Sequence, residues 1–189
     1  MEKLTRRAFL SGSVLAGGAL FLTACGGNTG GMNHGGGTST PYDQNFIDAM
    51  VPHHQSAIDM AKVAQGKAEH AEIKALANNI VTSQDGEIVR MKGWRKGWYG
   101  SEQIAPGMGG HTMGGMNMDL GVLASAQPFD KAFIDAMIPH HQSAIDMGRD
   151  AQKQAQHQEI KDLATEIIAA QQRELDQMKT WRAQWYPGQ

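Results

Sequence analysis

Polar and apolar positions in residues 46–64 recur at three- and four-residue steps. Phe46, Met50, His53, Ala57, Met60, Ala61 and Ala64 fall on one face of a helix, and Asp48, Gln55, Asp59 and Lys62 fall opposite. A second stripe follows a turn near Gly66 and runs through Ile73, Leu76, Ala77, Ile80, Gln84, Glu87, Met91, Trp94 and Trp98. Asp43, just after Pro41 and Tyr42, is the expected N-cap of the first helix. No stretch alternates as a half-buried strand would, so the pattern predicts an all-α protein.

The pattern returns 87 positions later. Residues 46–60 and 133–147 agree at fourteen of fifteen positions. The same offset carries His70 onto His157, Gln84 onto Gln171, Glu87 onto Glu174 and Met91 onto Met178, and it maps Trp94 and Trp98 onto Trp181 and Trp185. A gapless repeat over residues 42–99 and 129–186 reads as one helical hairpin used twice. One hairpin cannot bury its stripe alone, so the two are expected to pack as a four-helix bundle. The connection, residues 100–128, is long enough to cross from one end of the bundle to the other. That crossing would make the bundle ferritin-like, although the pattern alone leaves an up-down meander open.

The first 25 residues read as an export signal. Lys3, Arg6 and Arg7 precede an apolar run at residues 14–22, too short for a mature membrane span. The run ends in Leu22, Thr23, Ala24 and Cys25, a lipobox pattern that would leave Cys25 as a lipidated N-terminus. Residues 5–10 also resemble a twin-arginine signal. Residues 26–41, rich in Gly, Ser and Thr, read as a flexible tether between this anchor and the bundle.

Composition narrows the chemistry. A net charge of -2, which becomes -4 once the signal is removed, argues against nucleic acid as a partner. A single cysteine excludes an internal disulfide and a Cys-based zinc cluster. Twelve methionines and eight histidines remain as soft and borderline metal ligands. In each half a proline inside a helix, Pro52 or Pro139, stands beside Met50, His53 and His54 or beside Met137, His140 and His141. A costly helix defect next to potential ligands points to a site. Gln84, Glu87, Gln171 and Glu174 occupy stripe positions where apolar residues are expected, and they are placed to orient the imidazoles from behind. Trp94, Trp98, Trp181 and Trp185 are expected to close the bundle ends.

Thioether and imidazole together favour copper, Cu(I) above all and Cu(II) second, with silver or zinc less suited. No Glu stands three residues before a His, so the carboxylate-bridged di-iron pattern is absent. The connection adds Met108, His111, Met113, Met116 and Met118 on glycine-rich chain, and the tether adds Met32 and His34. Imidazoles titrate near pH 6.5, so binding at the helices is expected to weaken below it.

These residues resemble the domain-of-unknown-function 305 family. The resemblance rests on Met50, His53, His54, Ala57 and Met60, on His70, and on a second helix carrying Gln84, Glu87, Met91 and Trp94, and it holds in both halves. It implies a ferritin-like four-helix bundle and extracytoplasmic copper binding connected with copper tolerance. It also implies copper residues at Met50, His53, His54, Met60, His70 and Met91, with Met137, His140, His141, Met147, His157 and Met178 as their partners.

The function expected from the sequence is an exported envelope lipoprotein that sequesters or transfers copper without turnover, on the periplasmic or extracellular face. A copper transporter or chaperone would be its protein partner. Oxidation of Cu(I) by oxygen is the enzymatic alternative, and a structural surface lipoprotein is the third.

Overall fold

The computed structural model describes residues 40–104 and 119–188. They form α1 (Tyr42–Lys67), α2 (Ala71–Tyr99), α3 (Leu120–Ser125), α4 (Phe129–Gln154) and α5 (Gln158–Trp185). Among the described residues there is no strand, and no helix is long and apolar enough to cross a membrane. α1 packs along α2, α4 packs along α5, and the two hairpins meet through α1 and α4. The tight turns at residues 68–70 and 155–157 leave each hairpin antiparallel.

Contacts at the helix ends set the topology. Asp130 at the start of α4 bonds His70 at the start of α2, whereas Asp43 at the start of α1 bonds His157 at the start of α5. The chain leaves α2 at one end of the bundle and enters α4 at the other. The four long helices form a bundle of two hairpins. One element was not expected. α3 lies within the supposed loop and packs across α1 and α4, with Leu123 buried beneath it. Asp119 caps it by accepting from the Gly121 and Val122 amides.

The apolar core has two parts related by the repeat. One gathers Ala57, Met60, Ile73, Ile80, Phe133, Met137 and Met178, and the other Phe46, Met50, Met91, Ala144, Ile160 and Ile167. Each draws on all four long helices, so neither hairpin owns a core of its own. Burying one such side chain contributes about 1.5–3 kcal/mol. That sum lets α1 and α4 run unbroken through Pro52 and Pro139, although a proline inside a helix costs about 3 kcal/mol.

Two sequence assignments are corrected here. Asp43 does not cap its own helix: Pro41 occupies that position with no side-chain bond, and the Asp43 carboxylate instead accepts from the Gln156 and His157 amides of the other repeat. Asp48, assigned to the solvent face, is buried. Arg95 holds it through Nε at 2.5 Å and Nη2 at 3.1 Å, and Asp48 in turn keeps the guanidinium charged by raising its pKa further. The carbonyl freed by each proline belongs to Asp48 or Asp135, the two residues gripped by Arg95 and Arg182, so the defect and its brace coincide.

Candidate metal centre

The two parts of the core are separated by a layer of histidines. His53, His54, His140 and His141 are all at most 1% exposed. His53 and His140 meet where α1 meets α4, ring centres 3.9 Å apart and planes tilted by 45°. His54 and His141 turn outward onto α2 and α5, where Glu87 and Glu174 accept from their Nε2 atoms at 2.6 and 2.7 Å.

Those bonds decide the tautomers. A carboxylate only accepts, so Nε2 of His54 and of His141 carries the proton and Nδ1 keeps a free lone pair. Ser143 Oγ donates to the His140 carbonyl at 2.9 Å and sits 2.6 Å from His53 Nε2. With its one proton so used, Ser143 accepts from Nε2, and His53 Nδ1 is left bare as well. Glu87 and Glu174 thus each hold one imidazole by its Nε2.

Nothing in the protein uses those lone pairs. Nδ1 of His53, His54, His140 and His141 and Nε2 of His140 are buried without a partner, as are Oε1 of Gln84 and of Gln171. A buried polar atom without a hydrogen bond costs about 1–3 kcal/mol, so a layer of imidazole nitrogens that no protein group meets is suited to a cation. The geometry suits one. A metal–imidazole bond is about 2 Å and ring centre to nitrogen about 1.1 Å, so two imidazoles on one ion sit with centres about 5–6 Å apart, the upper value for a linear pair. The observed separations are 6.3 Å for His53–His54 and 6.4 Å for His140–His141. Among the described residues no three His, Cys, Asp or Glu side chains converge as ligands.

Burial, reinforced by the neighbouring histidines, lowers His53 to about 2 and His140 to about 3. These two imidazoles therefore depart from the titration near pH 6.5 expected of them.

The methionines flank this layer. Met50 and Met91 lie in one part of the core and Met137, Met178 and Met60 in the other, all fully buried, while Met147 is half-buried against the first. His70 and His157 do not join them. Lys67, short of His70, is already fourteen residues along α1 from His53, or about 21 Å. His70 instead stacks on Trp185 at 3.8 Å and pairs with Asp130, and His157 stacks on Trp98 at 3.7 Å and pairs with Asp43. The tryptophans do close the bundle ends. Sequence reasoning missed Ser143, Asp43 and Asp130, whose partners lie across the repeat, although the 87-residue offset links the two aspartates. Cys25, Met32, His34, Met108, His111, Met113, Met116 and Met118 lie outside the described residues.

The chain is similar to solved structures of CopM. Its Cu(I)-bound form is 43% identical, with 76% of this chain and 97% of that one covered at a TM-score of 0.69. Its Cu(II)-bound form is 46% identical, with 78% and 100% covered at 0.71. A DUF305 fragment from Deinococcus radiodurans shares the fold at 24% identity, with 75% and 95% covered and a TM-score of 0.65. A stretch of 49 residues is 41% identical to the uncharacterized protein L153 of Acanthamoeba polyphaga mimivirus; it takes in 26% of this chain and only 32% of that protein. The profile of the domain of unknown function DUF305 matches residues 43–182, which is most of the chain, and the protein belongs to that family.

Proposed function

We propose that this protein binds copper outside the cytoplasm, Cu(I) in preference, and sequesters it or hands it on in the service of copper tolerance. The observation that carries this is the set of buried, unpartnered imidazole nitrogens, with tautomers arranged to present lone pairs and thioethers on either side. The pairs His53–His54 and His140–His141 each hold one monovalent ion, with Met50 and Met91 or Met137 and Met178 near enough along the helices to add sulfur. The similarity to CopM, solved with Cu(I), with Cu(II) and with silver, supports the same choice of ion. Burial of the imidazoles favours holding the ion over turning it over with oxygen.

Met108, His111, Met113, Met116 and Met118, with Met32 and His34, serve as accessory soft ligands, and a transporter or chaperone is the recipient. In a chain whose tether and loop methionines are replaced by leucine, competition titration should find about two Cu(I) bound. His54→Ala combined with His141→Ala should bind none while helicity is kept. Full Cu(I) binding by that folded double variant overturns the reading.

Anchoring through Cys25 belongs to the same proposal. Cys25→Ser is expected to move the protein from the membrane to the soluble fraction of cells. A variant that still sediments with membranes, beside a parent that carries no lipid, would exclude it.

A further inference from the structure

The repeat symmetry of the core is broken at one place. Met60, Met137 and Met178 share their part of the core with Leu123 of α3, itself 1% exposed, and all three are sealed. Their counterparts are Met147, Met50 and Met91. Met50 and Met91 are sealed as well, but Met147 is half-buried where Met60 is fully covered. Position 36, which the 87-residue offset pairs with Leu123, is a glycine.

Register places the open methionine in line with the histidines. The bond between His54 and Glu87 aligns antiparallel α1 and α2, so Met50, four residues before the one, is level with Met91, four after the other. Both lie about 6 Å along the bundle from His54. His140 stands opposite His53 on antiparallel α4, and Met147, seven residues on, is about 10 Å from that layer on the same side as Met50 and Met91. Partly exposed Met147 and buried Met50 and Met91 therefore follow one another along the bundle axis toward the unpartnered imidazole nitrogens. In the other part of the core the same series is closed at Met60 by α3.

We propose that Met147 is the port through which soft monovalent ions reach the core, and that α3 makes the twin path through Met60 the slow one. The proposal rests on the copper-binding reading above. A thioether is neutral and does not titrate, so it takes Cu(I) or Ag(I) in exchange for water without a proton to displace. Leucine at the same position keeps the volume and removes the sulfur.

Ag(I), which needs no reductant, is the probe. The chain carries serine for Cys25 and leucine for Met32, Met108, Met113, Met116 and Met118, so that beyond the start methionine only core sulfur competes. Met147→Leu should slow Ag(I) uptake by about tenfold with the amount bound at equilibrium kept. Met60→Leu should leave the rate unchanged. Leu123→Ala added to Met147→Leu should restore it by unsealing the twin path. A second measurement needs no substitution in the core. Peroxide should convert Met147 to its sulfoxide before Met50, Met60 or Met91, as peptide mass spectrometry reads it, and stoichiometric Ag(I) should protect it. Equal uptake rates for Met147→Leu and the parent, or equal slowing by Met60→Leu, overturn the port. Absence of Ag(I) uptake by the parent would instead overturn the binding reading itself, so the two failures are distinct.

Discussion

Replacing His140 with leucine is expected to give a metal-free protein that is more stable than the parent and holds less copper. Both His140 nitrogens are buried without a partner, and the ring is 1% exposed. Leucine fills similar space with nothing to satisfy, so removing the orphans should return about 1–3 kcal/mol. At about 2–4 °C per kcal/mol for a domain of this size, the melting temperature should rise by about 2–12 °C. His53→Leu added to it should empty the core of Cu(I). A site that stabilises the fold only when filled is one where function, not packing, chose the residue.

Acid should expose the same defect more strongly. The folded protein keeps His53 neutral down to about pH 2 and His140 down to about pH 3, while both bind protons near pH 6.5 in the unfolded chain. Below 6.5 the unfolded state therefore holds more protons, and stability falls as pH falls. It is fully present above pH 6.5 and is lost progressively toward pH 3. Each group contributes a slope of about 1.4 kcal/mol per pH unit, so the pair costs about 5 kcal/mol between pH 6.5 and 4.5. Urea denaturation of the metal-free protein at pH 7.5 and 4.5 should show this drop, with His140→Leu removing about half of it. Bound Cu(I) should reverse it, because a ligand that occupies the folded lone pairs favours the folded state. A parent whose urea midpoint is the same at both pH values would mean that the histidine layer is hydrated and not dry.

The helices and their pairing were legible because hydrophobic period and repeat are local and redundant signals. His53 and His54 could be singled out from the doubled motif, and Glu87 from its polar character on an apolar stripe. Their roles could not. Which imidazole nitrogen is left bare depends on Ser143 of the other hairpin and on Glu87 across the helix pair, and no spacing rule within one helix shows either. Asp43 and Asp48 were misplaced for one reason. A helical wheel assigns carboxylates to solvent or to their own helix end, whereas these two are held by Gln156 and His157 of the other repeat and by Arg95 of α2. α3 escaped because six residues give too short a period to recognise, and its single buried side chain, Leu123, acquires meaning only against Met60.

Removing both end clamps is expected to cost the protein more than any change in the histidine layer. Asp43 and Asp130 are each 1% exposed. Asp43 accepts from the Gln156 amide at 3.0 Å, the His157 amide at 2.8 Å and His157 Nδ1 at 2.5 Å. Asp130 accepts from the Glu69 and His70 amides at 3.0 and 2.8 Å and from His70 Nδ1 at 2.6 Å. Each carboxylate accepts from the two amides just before a helix of the opposite repeat, and so ties the hairpins together where their shared core ends. Alanine would leave those donors without the acceptor that joins the repeats. The loss should be about 2–4 kcal/mol at each position, a fall of about 4–16 °C in melting temperature. The two aspartates sit at opposite ends of the bundle, so their effects should add. Asparagine tests the cause: it keeps the shape and one acceptor but turns an N–H₂ toward other donors, and it should recover less than half of the loss. Cu(I) capacity measured at 10 °C should stay that of the parent, because the clamps touch none of the central imidazoles. A double alanine variant melting within 2 °C of the parent would mean that the shared core alone holds the repeats together, and a folded variant that had lost its copper would mean that the bundle ends position the histidine layer.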